Sequence, residues 1–112
     1  MTTALIRKSK DGKYEFFQCK GHADYAKPGE KDIVCAAISV LVIHTINAIE
    51  QLTSDANHMI VTTEEEKGLI QCQFKQELST EATLLVKSLE LGLQSIEQQY
   101  SNKYFELKFE EV

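Results

Sequence analysis

The sequence predicts an α+β fold in the order β-β-α-β-β-α-β, a mostly antiparallel sheet with two helices packed on one face. Three observations carry this reading. Two β-type runs flank Asp11-Gly12, a hairpin signal because both positions tolerate positive φ. An unbroken apolar stretch from Asp32 to about Leu52 is too long for a strand. Near the C-terminus Phe105, Leu107 and Phe109 alternate with Tyr104, Glu106 and Lys108, the pattern of a half-buried strand.

The elements follow in order. Thr3–Lys8 and the aromatic-rich run Tyr14–Lys20 form the first hairpin. The stretch from Gly21 to Lys31 holds two glycines and the sole proline, so it reads as a loop. Asp32 is the expected N-cap of the first helix, which ends near Leu52. Polar residues are sparse in it before Thr45, so it is expected to be buried on most sides. His58–Thr63 and Leu69–Phe74 read as strands joined by a turn at Glu64–Gly68. In the second of these, Ile70, Cys72 and Phe74 share one face. A second helix runs from Ser79 or Thr80 to Tyr100, with Ala82, Leu85, Leu89, Leu93, Ile96 and Tyr100 at helical spacing.

The chain has 112 residues, enough for one domain with a real core, so 1–112 is read as a single unit. It is 43% hydrophobic and 26% charged, an ordinary globular balance. Its formal net charge is −5, so no basic stripe is available to neutralise phosphates, and direct nucleic-acid binding is not expected. An acidic surface suits a basic protein or peptide instead. Met1–Lys8 contains no signal-type apolar core. The longest apolar run, Ile33–Ile43, is shorter than the roughly 20 residues that span a bilayer. A cytoplasmic chain with no membrane contact is expected, its cysteines Cys19, Cys35 and Cys72 reduced.

Chemistry concentrates between Gly21 and Ser39. With Asp32 as N-cap, Cys35 is the third helical residue, and its N–H is free to bond the Asp32 carboxylate. The positive end of a helix favours thiolate over thiol, and a protonated His22 would add to this. Cys35 is then a candidate nucleophile and His22 a general acid for the leaving amine. Unpaired N–H groups at the helix start would suit an oxyanion. Ser39, four residues on, shares the face of Cys35 and would support the pair. Spacing alone favours the plain alternative: Cys35 as a small buried hydrophobe, Asp32 as a simple cap and His22 as an exposed loop residue.

A zinc site from Cys19, His22, Cys35 and Cys72 fails on geometry. Residues three apart in a strand face opposite ways, while Cys19 and Cys72 alternate with core-type neighbours. No metal or cofactor is expected. His44 lies about half a turn around the helix from Cys35, which makes it a surface or packing residue. His58 has no evident partner. Glu64–Glu66 read as a solvated turn that would also suit a basic peptide.

Gly21-His22-Ala23-Asp24-Tyr25-Ala26-Lys27-Pro28-Gly29-Glu30-Lys31-Asp32-Ile33-Val34-Cys35-Ala36-Ala37-Ile38-Ser39 resembles the signature of the ribosomal-processing cysteine protease family, Prp. That signature joins G-H-A, a glycine-containing loop, and D-I-V-C-A-A followed by serine. The resemblance implies a His22/Cys35 catalytic pair supported by Gly21, Asp32 and Ser39. It implies removal of the N-terminal extension of a large-subunit ribosomal protein, number twenty-seven, ending in paired aromatic residues before the cut. It further implies a homodimer and a segment between His22 and Cys35 that covers the site. Glu30-Lys31 places two residues between Gly29 and Asp32 where the pattern has one, an insertion that costs a loop little. For the aromatic side chains of such a substrate, Tyr25, Ala26 and Phe17 are the expected pocket walls. The rival from another class is a non-catalytic ribosome-assembly module that binds a basic protein tail.

Overall fold

The computed structural model describes residues 2–21, 29–100 and 104–112, with backbone only at 30–32. Five strands and two helices follow the expected order. β1 is Thr2–Lys8, β2 Tyr14–Lys20, α1 Glu30–Leu52, β3 Met59–Glu64, β4 Leu69–Phe74, α2 Thr80–Tyr100 and β5 Phe105–Glu111. The sheet order is β3-β4-β2-β1-β5. β1–β2, β2–β4 and β3–β4 are antiparallel, and β1–β5 alone is parallel.

Local chemistry explains the hairpins. Gly12 takes φ +83, a left-handed value that costs a residue with a Cβ, and its N–H bonds the Ser9 carbonyl at 3.0 Å. Ser9 Oγ also bonds the Asp11 carboxylate. A register shift at Arg7/Lys8 then turns the strand.

One face of the sheet is the core. Ala4, Ile6, Phe17, Cys19, Cys72 and Phe105 lie in one buried cluster with Val34, Ile38, Val42 and Ile49 of α1 and Ala82, Val86, Leu89 and Leu93 of α2. On α1 the buried residues Val34, Ile38, Val42, Ile46 and Ile49 recur at intervals of three and four, so a single stripe meets the sheet. The expectation that this helix is buried on most sides is therefore corrected. Ile33 is 60% exposed, Val40 65% and Ile43 45%, because no described element covers that side. The window Ile33–Leu52 is long and apolar enough to cross a membrane by length and composition, beyond the eleven-residue run read from the sequence. Its buried stripe is committed to the sheet. The helices meet where Gly92 faces Leu41; a Cβ built there lies 3.1 Å from Leu41 Cδ1.

The opposite sheet face is polar, and there Arg7 lies over the Phe16 ring, 4.6 Å from its centroid. Ser79 is the N-cap expected for α2, with Oγ accepting from the Ala82 N–H at 3.2 Å. His58 does have a neighbour, contrary to the sequence reading. It closes a 3₁₀ turn at Ala56–His58, and its Nδ1 lies 3.7 Å from Oδ2 of the buried Asp55.

Candidate active site

Cys35 stands on the flank of α1, half-buried, next to the stripe that meets the sheet. The helix starts earlier than expected. Its N-cap is Gly29, in extended backbone with no side-chain cap, and the Ile33 N–H bonds the Gly29 carbonyl at 3.1 Å. Asp32 is thus the third helical residue and Cys35 the sixth. Two corrections follow. Asp32 is not the N-cap, and Cys35 lies beyond the four N–H groups that a helix start leaves unpaired. The physical reason is local: Glu30 and Lys31 are good helix formers and extend the helix back to the glycine. The free N–H groups now belong to the turn before Cys35.

Cys35, Ser39 and Ile43 succeed each other at intervals of four and line one side of a cavity of about 630 Å³. Gly21, just past the end of β2, also lines it. The far wall is the β3–β4 hairpin, from Thr63, Glu64 and Glu65 to Gly68, Leu69 and Ile70. The turn there is a short 3₁₀ segment at Glu65–Lys67, stopped by Gly68 at φ 60 and ψ 36. The structure therefore places Gly21, Cys35 and Ser39 around one cavity. The groove combines a thiol, a hydroxyl, an apolar floor and an acidic rim. That arrangement can hold an extended peptide across Cys35.

Phe17 is not a wall of this groove. It is 1% exposed and packs on Phe74 with ring centroids 5.8 Å apart. Strand alternation puts it on the core face, where its area is worth most buried. His22, Tyr25 and Ala26 lie outside the described residues. The hairpin wall is what sequence reasoning missed. Its one visible signal was the run Glu64–Glu66, placed in a solvated turn because nothing local shows that the turn reaches α1.

The other two cysteines are core residues, as expected. Burial pushes the Cys72 thiol up to about 12. Cys19 is pushed up to about 11, by burial first and by the charge of nearby Cys35 second.

The family model for cysteine protease Prp matches residues 1–105. The chain belongs to the Prp family. It is 30% identical to the ribosomal processing cysteine protease Prp of Bacillus subtilis, over 91% of this chain and 92% of that one. It is 31% identical to the Staphylococcus aureus protein of the same name, over 90% and 92%. Two solved structures of the essential ribosomal processing protease Prp from S. aureus share the fold. The complex with a substrate peptide matches at TM-score 0.87 and 29% identity, covering 98% of this chain and all of that one. The complex with a covalently linked product peptide matches at 0.85 and 30%, with the same coverage. The protein is thus a thiol protease of the ribosomal-processing Prp family, a peptide hydrolase rather than a passive assembly module. Its mixed five-stranded sheet with two helices is the Prp fold.

Proposed function

We propose that the enzyme removes the N-terminal extension of a large-subunit ribosomal protein, the one numbered twenty-seven, with Cys35 as nucleophile and His22 as general acid and base. The observation that carries this is the placement of Cys35 beside Ser39 in the wall of a cavity of about 630 Å³. The Cys35 thiolate attacks the scissile carbonyl, and the sulfur–carbon bond forms as the carbonyl oxygen takes the charge. Backbone N–H groups in the turn before Cys35 are the nearest unpaired donors for that oxygen. His22 then protonates the leaving amine, and water releases the acyl group by the reverse steps. Asp32, in the first turn, and Ser39, one turn past Cys35, support the pair. A covalently linked product peptide in the S. aureus relative fits a thiol ester path.

The substrate reading has two supports. The chain carries a formal net charge of −5, and Glu64 and Glu65 rim the groove, which favours encounter with a basic ribosomal tail. Ile43, Leu69 and Ile70 give the groove apolar surface for the large side chains before the cut. We also place the enzyme in the cytoplasm, where ribosomal proteins are made, and as a homodimer. Ile33 and Val40, exposed one above the other on α1, offer a second copy an apolar stripe.

The test is incubation with the extended ribosomal protein and mass analysis of the products. A single cut behind paired aromatic residues, lost in Cys35→Ala with the fold retained, supports the proposal. Full activity in Cys35→Ala overturns it.

A further inference from the structure

Cys19 and Cys35 stand on two elements that pack together, β2 and α1. Cys19 lies near the end of β2, on the face that α1 packs against. Two neighbours of Cys19 reach the groove of Cys35. Gly21, two residues on, lines it, and so does Ile70, the cross-strand partner of Cys19 on β4. Burial first, and the charge of Cys35 second, raise the Cys19 thiol. Cys35 opens to the groove while Cys19 is 2% exposed beneath it. Cys72 lies opposite Phe17 on β4 and does not line the groove.

We infer that Cys19 is the resolving thiol of Cys35, and that the pair is an oxidation site at which a hydroperoxide closes a Cys19–Cys35 disulfide and switches the protease off reversibly. This rests on the reading of Cys35 as the reactive thiolate. The step balances. The Cys35 thiolate attacks the peroxide, a sulfur–oxygen bond forms, the oxygen–oxygen bond breaks, and the leaving alkoxide or hydroxide takes a proton. Sulfur is oxidised by two electrons and the peroxide is reduced. The Cys19 sulfur then attacks Cys35 Sγ, a sulfur–sulfur bond forms, and the sulfenic oxygen leaves as water with the Cys19 proton. A buried resolving thiol can react only with its neighbour, so it protects Cys35 from further oxidation without competing for substrate.

The experiment uses the full chain and hydrogen peroxide. Treated protein is digested without reductant and mapped by mass, while a parallel sample is assayed before and after dithiothreitol. Expected is a Cys19–Cys35 linked peptide, activity lost to peroxide and activity regained on reduction. Cys19→Ala keeps its basal activity, but peroxide inactivates it permanently, with Cys35 carried to the sulfinic acid. Cys72→Ala behaves as wild type. The inference is overturned if Cys35 in the wild-type chain oxidises without a link to Cys19, a result that needs no variant. It is also overturned if Cys19→Ala recovers as fully as wild type. Failure of the underlying reading shows separately, as cleavage that survives in Cys35→Ala.

Discussion

The carboxylate of Asp55 takes two hydrogen bonds from Ser79, one from its backbone N–H at 2.9 Å and one from its hydroxyl at 2.5 Å. Asp55 is 1% exposed, and Ser79 caps α2. The contact ties the segment leaving α1 to the start of α2, and so fixes how the helices meet. Thr53 adds to it by accepting the Asp55 N–H at 3.1 Å.

Removing that carboxylate strands two donors. Asp55→Ala is expected to cost about 3 kcal/mol, since buried hydrogen bonds to charged groups are worth about 1.5–3 each. Urea unfolding measures it. The pH dependence has a definite sign. Burial pushes the Asp55 carboxyl up, but the hydrogen bonds from Ser79, with those involving Thr53 and His58, together outweigh it and hold the group below its ordinary 3.8. Its stabilisation is complete above that ordinary value and is lost as pH falls through the lower folded one. Wild type therefore loses urea midpoint in that acid window, while Asp55→Asn starts lower and loses less. Equal losses in both would refute the account.

Phe17 separates core from pocket. Phe17→Ala is expected to cost about 3–5 kcal/mol, the usual range for a buried aromatic. Phe17→Leu, which leaves the fold standing, should lower the melting temperature and leave KM for a cleavable peptide unchanged. A raised KM without lost stability would restore Phe17 to the groove.

Gly68 holds the hairpin wall. Its left-handed backbone costs a residue with a Cβ about 1–2 kcal/mol. Gly68→Ala should lose about that much and raise KM several-fold, because the turn that carries Glu65 and Leu69 is displaced. Asn tolerates the left-handed region better, so Gly68→Asn should fall between the two. Identical kinetics in all three chains would show that the hairpin does not touch substrate.

Glu64 and Glu65 give the groove its charge. For a peptide with a basic tail, KM should rise with salt as the Debye length shortens to about 8 Å near physiological ionic strength. Glu65→Gln should weaken that dependence and raise KM at low salt, with kcat little changed. A neutral peptide serves as control. A wild-type KM insensitive to salt would sink this reading.

The sequence alone determined the elements and singled out the segment on which the proposed chemistry rests. Hydrophobic period separates helix from strand locally, so α1, β4 and α2 were readable to within a few residues. Cys35 and Ser39 share a groove because a helix brings residues four apart to one face, which needs no tertiary information. The N-cap was misplaced because Asp32 is a good cap in isolation, whereas Glu30 and Lys31 carry the helix back to Gly29.

Only the tertiary structure decided the rest. Strand order β3-β4-β2-β1-β5 and the parallel β1–β5 pair come from contacts distant in sequence, which no local period encodes. The same packing brings the Thr63–Ile70 hairpin opposite Cys35, about thirty residues away along the chain, and turns a run of glutamates into a wall of the groove. It also packs β2, which carries Cys19, against α1, which carries Cys35. Burial of one helix stripe on the sheet settled which of three thiols lines the cavity and which two face the core.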